Sequence, residues 1–194
     1  MSRARVLWLP LTAGLLIPGC GLGEADDYAP LTATDNFRII QNGQAYRSAQ
    51  LDPSTLRLVV QQYGIRTVIN LRGENAVAVW YQRERATAEE LKLKLVDIPL
   101  SAHRLPSRAN LLQLYDTFKA ADGPILIHCS AGADRAGAAA AIWRMVVRGE
   151  PRESAVRELS LFNGHLAQAC PEMDQLVRIF QPSRDWIMNE YPGP

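Results

Sequence analysis

The 194-residue chain has almost no charge imbalance, only three cysteines, no internal repeat and no apolar run long enough to cross a membrane. Lys and Arg number 21 against 20 Asp and Glu, a formal net charge of +1. That balance gives nothing for nucleic acid or an anionic lipid surface to attract. The absence of repeats and low-complexity tracts excludes solenoid and fibrous architectures. The N-terminal apolar stretch from Val6 to Ile17 falls short of a bilayer span. The length suits one domain plus extensions, large enough to bury a proper core.

The chemistry concentrates in one short stretch. Pro124-Ile125-Leu126-Ile127 reads as a buried strand, and Ala136 to Arg148 as a strong helix former ended by Gly149. Between them lie His128, Cys129, Ser130, Ala131, Gly132, Ala133, Asp134 and Arg135. A loop of successive backbone N–H groups feeding a helix N-terminus makes an anion site, because unpaired donors and the helix dipole point the same way. Cys129 and Arg135 flank five residues, enough to curl around a tetrahedral anion with the guanidinium fork closing on two of its oxygens. The same field favours the thiolate, and a thiolate facing phosphorus is a nucleophile.

This Cys-x5-Arg loop, with His128 before it and Gly132 at its centre, resembles that of the cysteine-dependent protein tyrosine and dual-specificity phosphatases. A second block carries a likeness to the opening of bacterial and fungal atypical dual-specificity phosphatases. It runs through Tyr46-Arg47-Ser48-Ala49-Gln50, a helix, and then Gly64 to Arg72. Together the two cover about Phe37 to Ile179. The resemblance implies a phosphoric monoester hydrolase in which Cys129 forms a phosphocysteine. The N–H groups of Ser130, Ala131, Gly132, Ala133, Asp134 and Arg135, with the Arg135 side chain, would hold the phosphoryl oxygens. It calls for no metal or cofactor, and for a phosphorylated protein or small phosphate ester as substrate. Three other readings stay open: an inositol phosphate or phosphoinositide phosphatase, a dead phosphatase that captures phosphorylated partners, and a sulfurtransferase.

Two departures from the resembled pattern matter. The loop Leu100 to Pro106, where those families often place an aspartate general acid, contains no carboxylate. The proton donor is therefore sought first at Asp134, then at His103, with Asp97 third; Asp134 as a mere helix cap is a fourth reading. Ala136 stands where the family usually has Ser or Thr, which predicts slow release of the phosphoryl group. His128 is expected to support the thiolate by hydrogen bonding within the loop, Arg47 and Arg72 to be structural or solvated charge, and Cys170 to be an apolar filler or a thiol partner for Cys129.

The remaining chain predicts an α/β domain with a mainly parallel central sheet flanked by helices and a hairpin at its start. Strands are expected at Phe37–Ile40, Ala45–Ser48, Thr67–Leu71 and Lys94–Leu100. Helices are expected from about Pro53 to Tyr63, within Glu74–Leu91, from Ser107 to Ala120, and from Glu150 onward. Leu166, Met173, Leu176, Val177, Ile179, Phe180, Trp186 and Ile187 are expected as core of the terminal helices. Arg3 and Arg5 before the apolar run, and Leu16-Ile17-Pro18-Gly19-Cys20 after it, resemble a bacterial lipoprotein signal. The chain thus divides into a signal peptide at 1–19, a tether at 20–36 starting with a lipidated Cys20, and a phosphatase domain at 37–194. This places the domain in the bacterial envelope, on the periplasmic side, with membrane contact through the lipid alone.

Overall fold

The computed structural model describes residues 31–194. The expected signal peptide and Cys20 lie outside that range. Five strands, β1 (Arg38–Gln41), β2 (Ala45–Ser48), β3 (Thr67–Asn70), β4 (Lys94–Asp97) and β5 (Ile125–His128), form one sheet in the order β1-β2-β5-β3-β4. Only the β1–β2 hairpin is antiparallel; β2, β5, β3 and β4 run parallel. Among the helices, α1 (Pro53–Tyr63) and α2 (Val79–Glu90) lie on one face, and α3 (Arg108–Ala120), α4 (Asp134–Arg148), α5 (Arg152–Ala155), α6 (Pro171–Ile179) and α7 (Arg184–Asn189) group on the other.

Alternation along the central strands explains the two layers. Leu126 and Val68 join Tyr46, Leu56 and Val59 under α1. Ile125, Ile127 and Ile69 join the core beneath α3 and α4. Strands buried on both faces need such continuous apolar runs. The carboxyl ends of β2, β5 and β3 come level, because Ser48 pairs with His128 and Asn70 pairs with His128 from the other side. Cys129 therefore leaves the sheet at the centre of its carboxyl edge, where ligands of parallel sheets sit.

α4 is the spine of the thicker layer. Ala136, Ala138, Ala139, Ala140 and Ala141 are fully buried, and their small side chains let neighbours approach the helix closely. At Gly137 a Cβ would stand 3.2 Å from Arg47 Nη1 and 3.1 Å from the Glu158 carbonyl. Arg47 is wholly buried and donates through Nη1 to the Glu158 carbonyl (2.8 Å) and to its Oε2 (3.0 Å). Arg144 donates to Glu158 Oε1 (2.8 Å), Glu150 Oε1 (3.1 Å) and the Ile40 carbonyl (2.7 Å). Arg47 is structural charge, as expected, but it is buried in the core and not solvated.

Five local expectations change. β4 ends at Asp97 and not Leu100, although Ile98 N and Leu100 N still donate to the carbonyls of Asn70 (3.0 Å) and Leu71 (3.2 Å). α4 begins at Asp134, two residues before Ala136, because the Ala133 carbonyl already accepts from Gly137 N at 2.9 Å. The helix after Glu150 is one turn, continued as a 3-10 turn at Val156–Glu158, and Arg47 and Asn163 take the Glu158 carbonyl that any further helix would use. Leu166 is 52% exposed and belongs to no helix. The end of the expected tether is packed on the domain: Asn36 Nδ2 donates to the carbonyls of Ala131 (3.0 Å) and Asn163 (3.1 Å), and the Asp35 carbonyl accepts from Ala49 N at 2.7 Å.

Glu158→Ala strands the buried Arg47 charge and is expected to lower unfolding free energy by about 3–5 kcal/mol in urea titrations. A loss under about 1 kcal/mol would show that the network is not holding the layer together.

Candidate active site

The loop between β5 and α4 is held open by bonds from outside it. Leu71 N donates to the His128 carbonyl (2.9 Å), Gln50 N to the Ser130 carbonyl (3.1 Å) and Asn36 to the Ala131 carbonyl. These contacts engage three carbonyls of the loop and its approach from outside. Gly132 sits at φ +71, and a Cβ there would stand 2.5 Å from Ala49 N and 2.6 Å from the Ser48 carbonyl carbon. Only glycine fits, both for its backbone angle and for the press of β2's exit against the loop. Cys129 lies at the floor with 2% of its surface exposed.

Arg135 occupies the second position of α4 and places Nη1 3.4 Å from the Leu71 carbonyl and 3.3 Å from the Leu100 carbonyl. Those long contacts fix the guanidinium between the loops after β3 and β4. Arg72 stands near it: burial first, and then the charge of Arg135, pulls the Arg72 pKa below its ordinary value. The Arg72 guanidinium lies 3.4 Å from the centre of the Trp80 ring and donates to Gln50 Oε1 at 2.9 Å. A stacked and hydrogen-bonded arginine keeps its orientation. Arg72 is thus a fixed cation beside the loop and not solvated surface charge.

His128 has a partner that sequence reasoning missed. Its Nε2 lies 2.9 Å from Glu84 Oε1, both groups being buried, while Nδ1 is 3.4 Å from the Cys129 carbonyl. Gln50 Nε2 also donates to Glu84 Oε1 at 2.9 Å. The hydrogen bond of the ring is the one expected within the loop, to the Cys129 carbonyl, and the Glu84 carboxylate on α2 stands beside Nε2. The available signal was position: Glu84 falls between Tyr81 and Ala88 on the buried face of α2.

The three candidate proton donors differ in their surroundings. Asp97, at the end of β4, accepts from Asn70 Nδ2 and Tyr81 Oη, both at 2.7 Å, which employs it in joining β3, β4 and α2. His103 is exposed; only its backbone is engaged, N donating to Ser101 Oγ at 3.1 Å. Asp134 opens α4 without capping it, and its Oδ1 lies 2.8 Å from His165 Nδ1. His165 is buried, and its Nε2 lies 2.8 Å from Asp174 Oδ2. Cys170 is a buried free thiol beside Asp134, its pKa raised by burial first and then by that carboxylate. Cys129 is likewise free.

Cys129 and Arg135 thus lie on one loop between the central strand and the first turn of α4, at the carboxyl edge of the sheet. The family model for the DSP-PTPase phosphatase fused to NAD+ kinase matches residues 32–173, most of the chain. The chain belongs to this phosphatase family. The phosphatase is 29% identical over 174 residues to the dual specificity protein phosphatase TpbA of Pseudomonas aeruginosa, covering 82% of this chain and 74% of TpbA. Its fold is similar to the crystal structure of P. aeruginosa TpbA in complex with phosphotyrosine, with TM-score 0.64, 22% identity, and coverage of 83% and 95%. It is equally similar to the catalytic domain of the S. cerevisiae PP-IP phosphatase SIW14, with TM-score 0.64, 19% identity, and coverage of 79% and 90%. The α/β class with a mainly parallel sheet and the phosphatase assignment read from the sequence both hold.

Gly132→Ala forces a left-handed backbone angle on alanine and drives a methyl into Ala49. It is expected to abolish phosphate-ester hydrolysis and to cost about 1–3 kcal/mol of stability. Activity within threefold of wild type would show that the loop does not need this close approach.

Proposed function

We propose that this phosphatase hydrolyses phosphotyrosine in proteins, and phosphoserine or phosphothreonine as well, through a phosphocysteine on Cys129. The observation that carries the reading is the loop: its carbonyls are tied outward to Leu71, Gln50 and Asn36, while Cys129 forms its floor. Cys129 attacks phosphorus. The N–H groups from Ser130 to Arg135 and the Arg135 guanidinium hold the equatorial oxygens, which bear more charge in the transition state than in the ester. Asp134 delivers a proton to the departing oxygen, and water then cleaves the S–P bond. The complex of TpbA with phosphotyrosine supports this substrate class. Trp80, held under Arg72 at the edge of a cleft that includes Gln50, Leu51 and Pro53, offers an apolar wall for an aromatic ring.

One observation favours a competing substrate. Arg72 beside Arg135 supplies a second cation, as an inositol phosphate or phosphoinositide would require. Turnover of phosphotyrosine peptides against inositol hexakisphosphate distinguishes the two. The location proposed for the enzyme is the bacterial envelope, lipid-anchored through Cys20 and facing the periplasm. Release of Cys20→Ala from washed membranes into the soluble fraction is the expected result.

Cys129→Ser is expected to lower hydrolysis of para-nitrophenyl phosphate by at least about 10³-fold. Ala136 is fully buried in the first turn of α4 and offers no hydroxyl to the leaving thiolate. Rapid-quench measurements should therefore show a stoichiometric burst of nitrophenol followed by slow turnover, and Ala136→Ser should raise the slow phase alone. A linear time course without a burst would contradict slow dephosphorylation, and undiminished Cys129→Ser activity would contradict the nucleophile.

A further inference from the structure

Asp134, His165 and Asp174 come from three separate segments: the first turn of α4, the loop that follows the 3-10 turns, and α6. His165 is 3% exposed, and each of its ring nitrogens faces a carboxylate oxygen at 2.8 Å. A hydrogen bond in each gap accounts for both distances and places two protons among the three groups, the carboxylates keeping 26% and 32% of their side-chain surface exposed. The proton in the Nε2–Asp174 gap stays on the imidazole. The proton in the Nδ1–Asp134 gap sits on either atom, since neutral acid with neutral imidazole and carboxylate with imidazolium have the same proton count.

We propose that His165 and Asp174 are positioning residues that hold a transferable proton on Asp134, making it the acid for the leaving group and then the base for water. The proposal rests on the reading of Cys129 as the nucleophile. Asp174 sets a carboxylate at the far end of the imidazole, 2.8 Å from Nε2, opposite the one that Asp134 holds against Nδ1. The other charged or titratable groups facing the cluster are Arg135 on α4, Cys170 and Glu172 at the start of α6, and Arg152, Glu153 and Arg178 lining a cleft with Asp174.

In the first step the S–P bond forms as the bond from phosphorus to the ester oxygen breaks, and the proton of the Nδ1–Oδ1 gap moves to that oxygen. The emptied gap then sets a lone pair against a carboxylate. In the second step water gives a proton to Asp134 as its oxygen bonds to phosphorus, the S–P bond breaks, and Cys129 departs as thiolate. Alcohol and phosphate are released, and the cluster regains its two protons. The refilling of the gap favours the hydrolytic step that Ala136 leaves unsupported.

The test measures kcat/KM and the burst rate of the full chain for para-nitrophenyl phosphate and phenyl phosphate across about pH 5 to 9, because kcat reports the slow hydrolysis of the phosphocysteine common to both substrates. His165→Gln keeps amide hydrogen bonding in the pocket but has no transferable proton. It is expected to lower kcat/KM for phenyl phosphate by about 10²–10⁴-fold, with a smaller loss for the better leaving group. Asp174→Asn removes the distant negative charge, so the alkaline limb of kcat/KM should move to lower pH. Restoring the charge with Asp174→Glu should move it back. If Asp174→Asn and a folded His165→Gln both leave the leaving-group ratio and the alkaline limb as in wild type, or lower both substrates equally, the cluster is only a structural clasp. Should His165→Gln fail to fold, Asp174→Asn alone decides by the same limb. Failure of the underlying reading looks different: wild type would then never trap a phosphocysteine.

Discussion

The backbone of residues 129–135 must curl with its N–H groups inward, and little within those residues makes it do so. The curvature comes from the frame. The exits of β2 and β3, and Asn36 before β1, each bond the loop on its outer side, and Gly132 is wedged against Ser48 and Ala49. A parallel sheet suits this purpose because its central strand ends with neighbours level on both sides. The amides are then already oriented when an anion arrives, and preorganised donors cost no rearrangement during the reaction.

Behind this cradle the protein stores charge in two buried assemblies. Arg47, Glu158, Arg144 and Glu150 join β2 to the far side of α4. Glu84 and Gln50 join α2 to His128 and to Arg72. Burial pulls the Arg47 pKa down, while the charges of Glu158 and then Cys129 oppose the fall. The guanidinium thus lies within electrostatic reach of the Cys129 sulfur. Burying such groups is costly unless they are paired, and the pairing ties their positions to the loop they support.

Much of this was readable from residues alone. The β5–loop–α4 unit announced itself through the apolar run, the spacing of Cys129 and Arg135, and Gly149 as the stop. The hairpin at Asn42-Gly43 and the Asp52 cap of α1, which accepts from Ser54 N and Thr55 N, carry local signals of similar clarity. What stayed hidden depends on pairings across long sequence separations. Arg47 and Glu158 lie 111 residues apart, and His165 and Asp134 lie 31 apart. Leu166 shows the same limit from the other side. Its apolar character fitted a helix face, yet the chain there turns outward, leaving Leu161, Phe162 and Leu166 exposed beside Asn163 and the loop.

The central claim is that the frame makes Cys129 a thiolate facing a phosphate-shaped cup. It is tested most directly by the rate of Cys129 alkylation with iodoacetate as a function of pH, with and without inorganic vanadate. The account predicts alkylation far faster than that of free cysteine, abolished by vanadate. Alkylation no faster than that of free cysteine, and indifferent to vanadate, would contradict it.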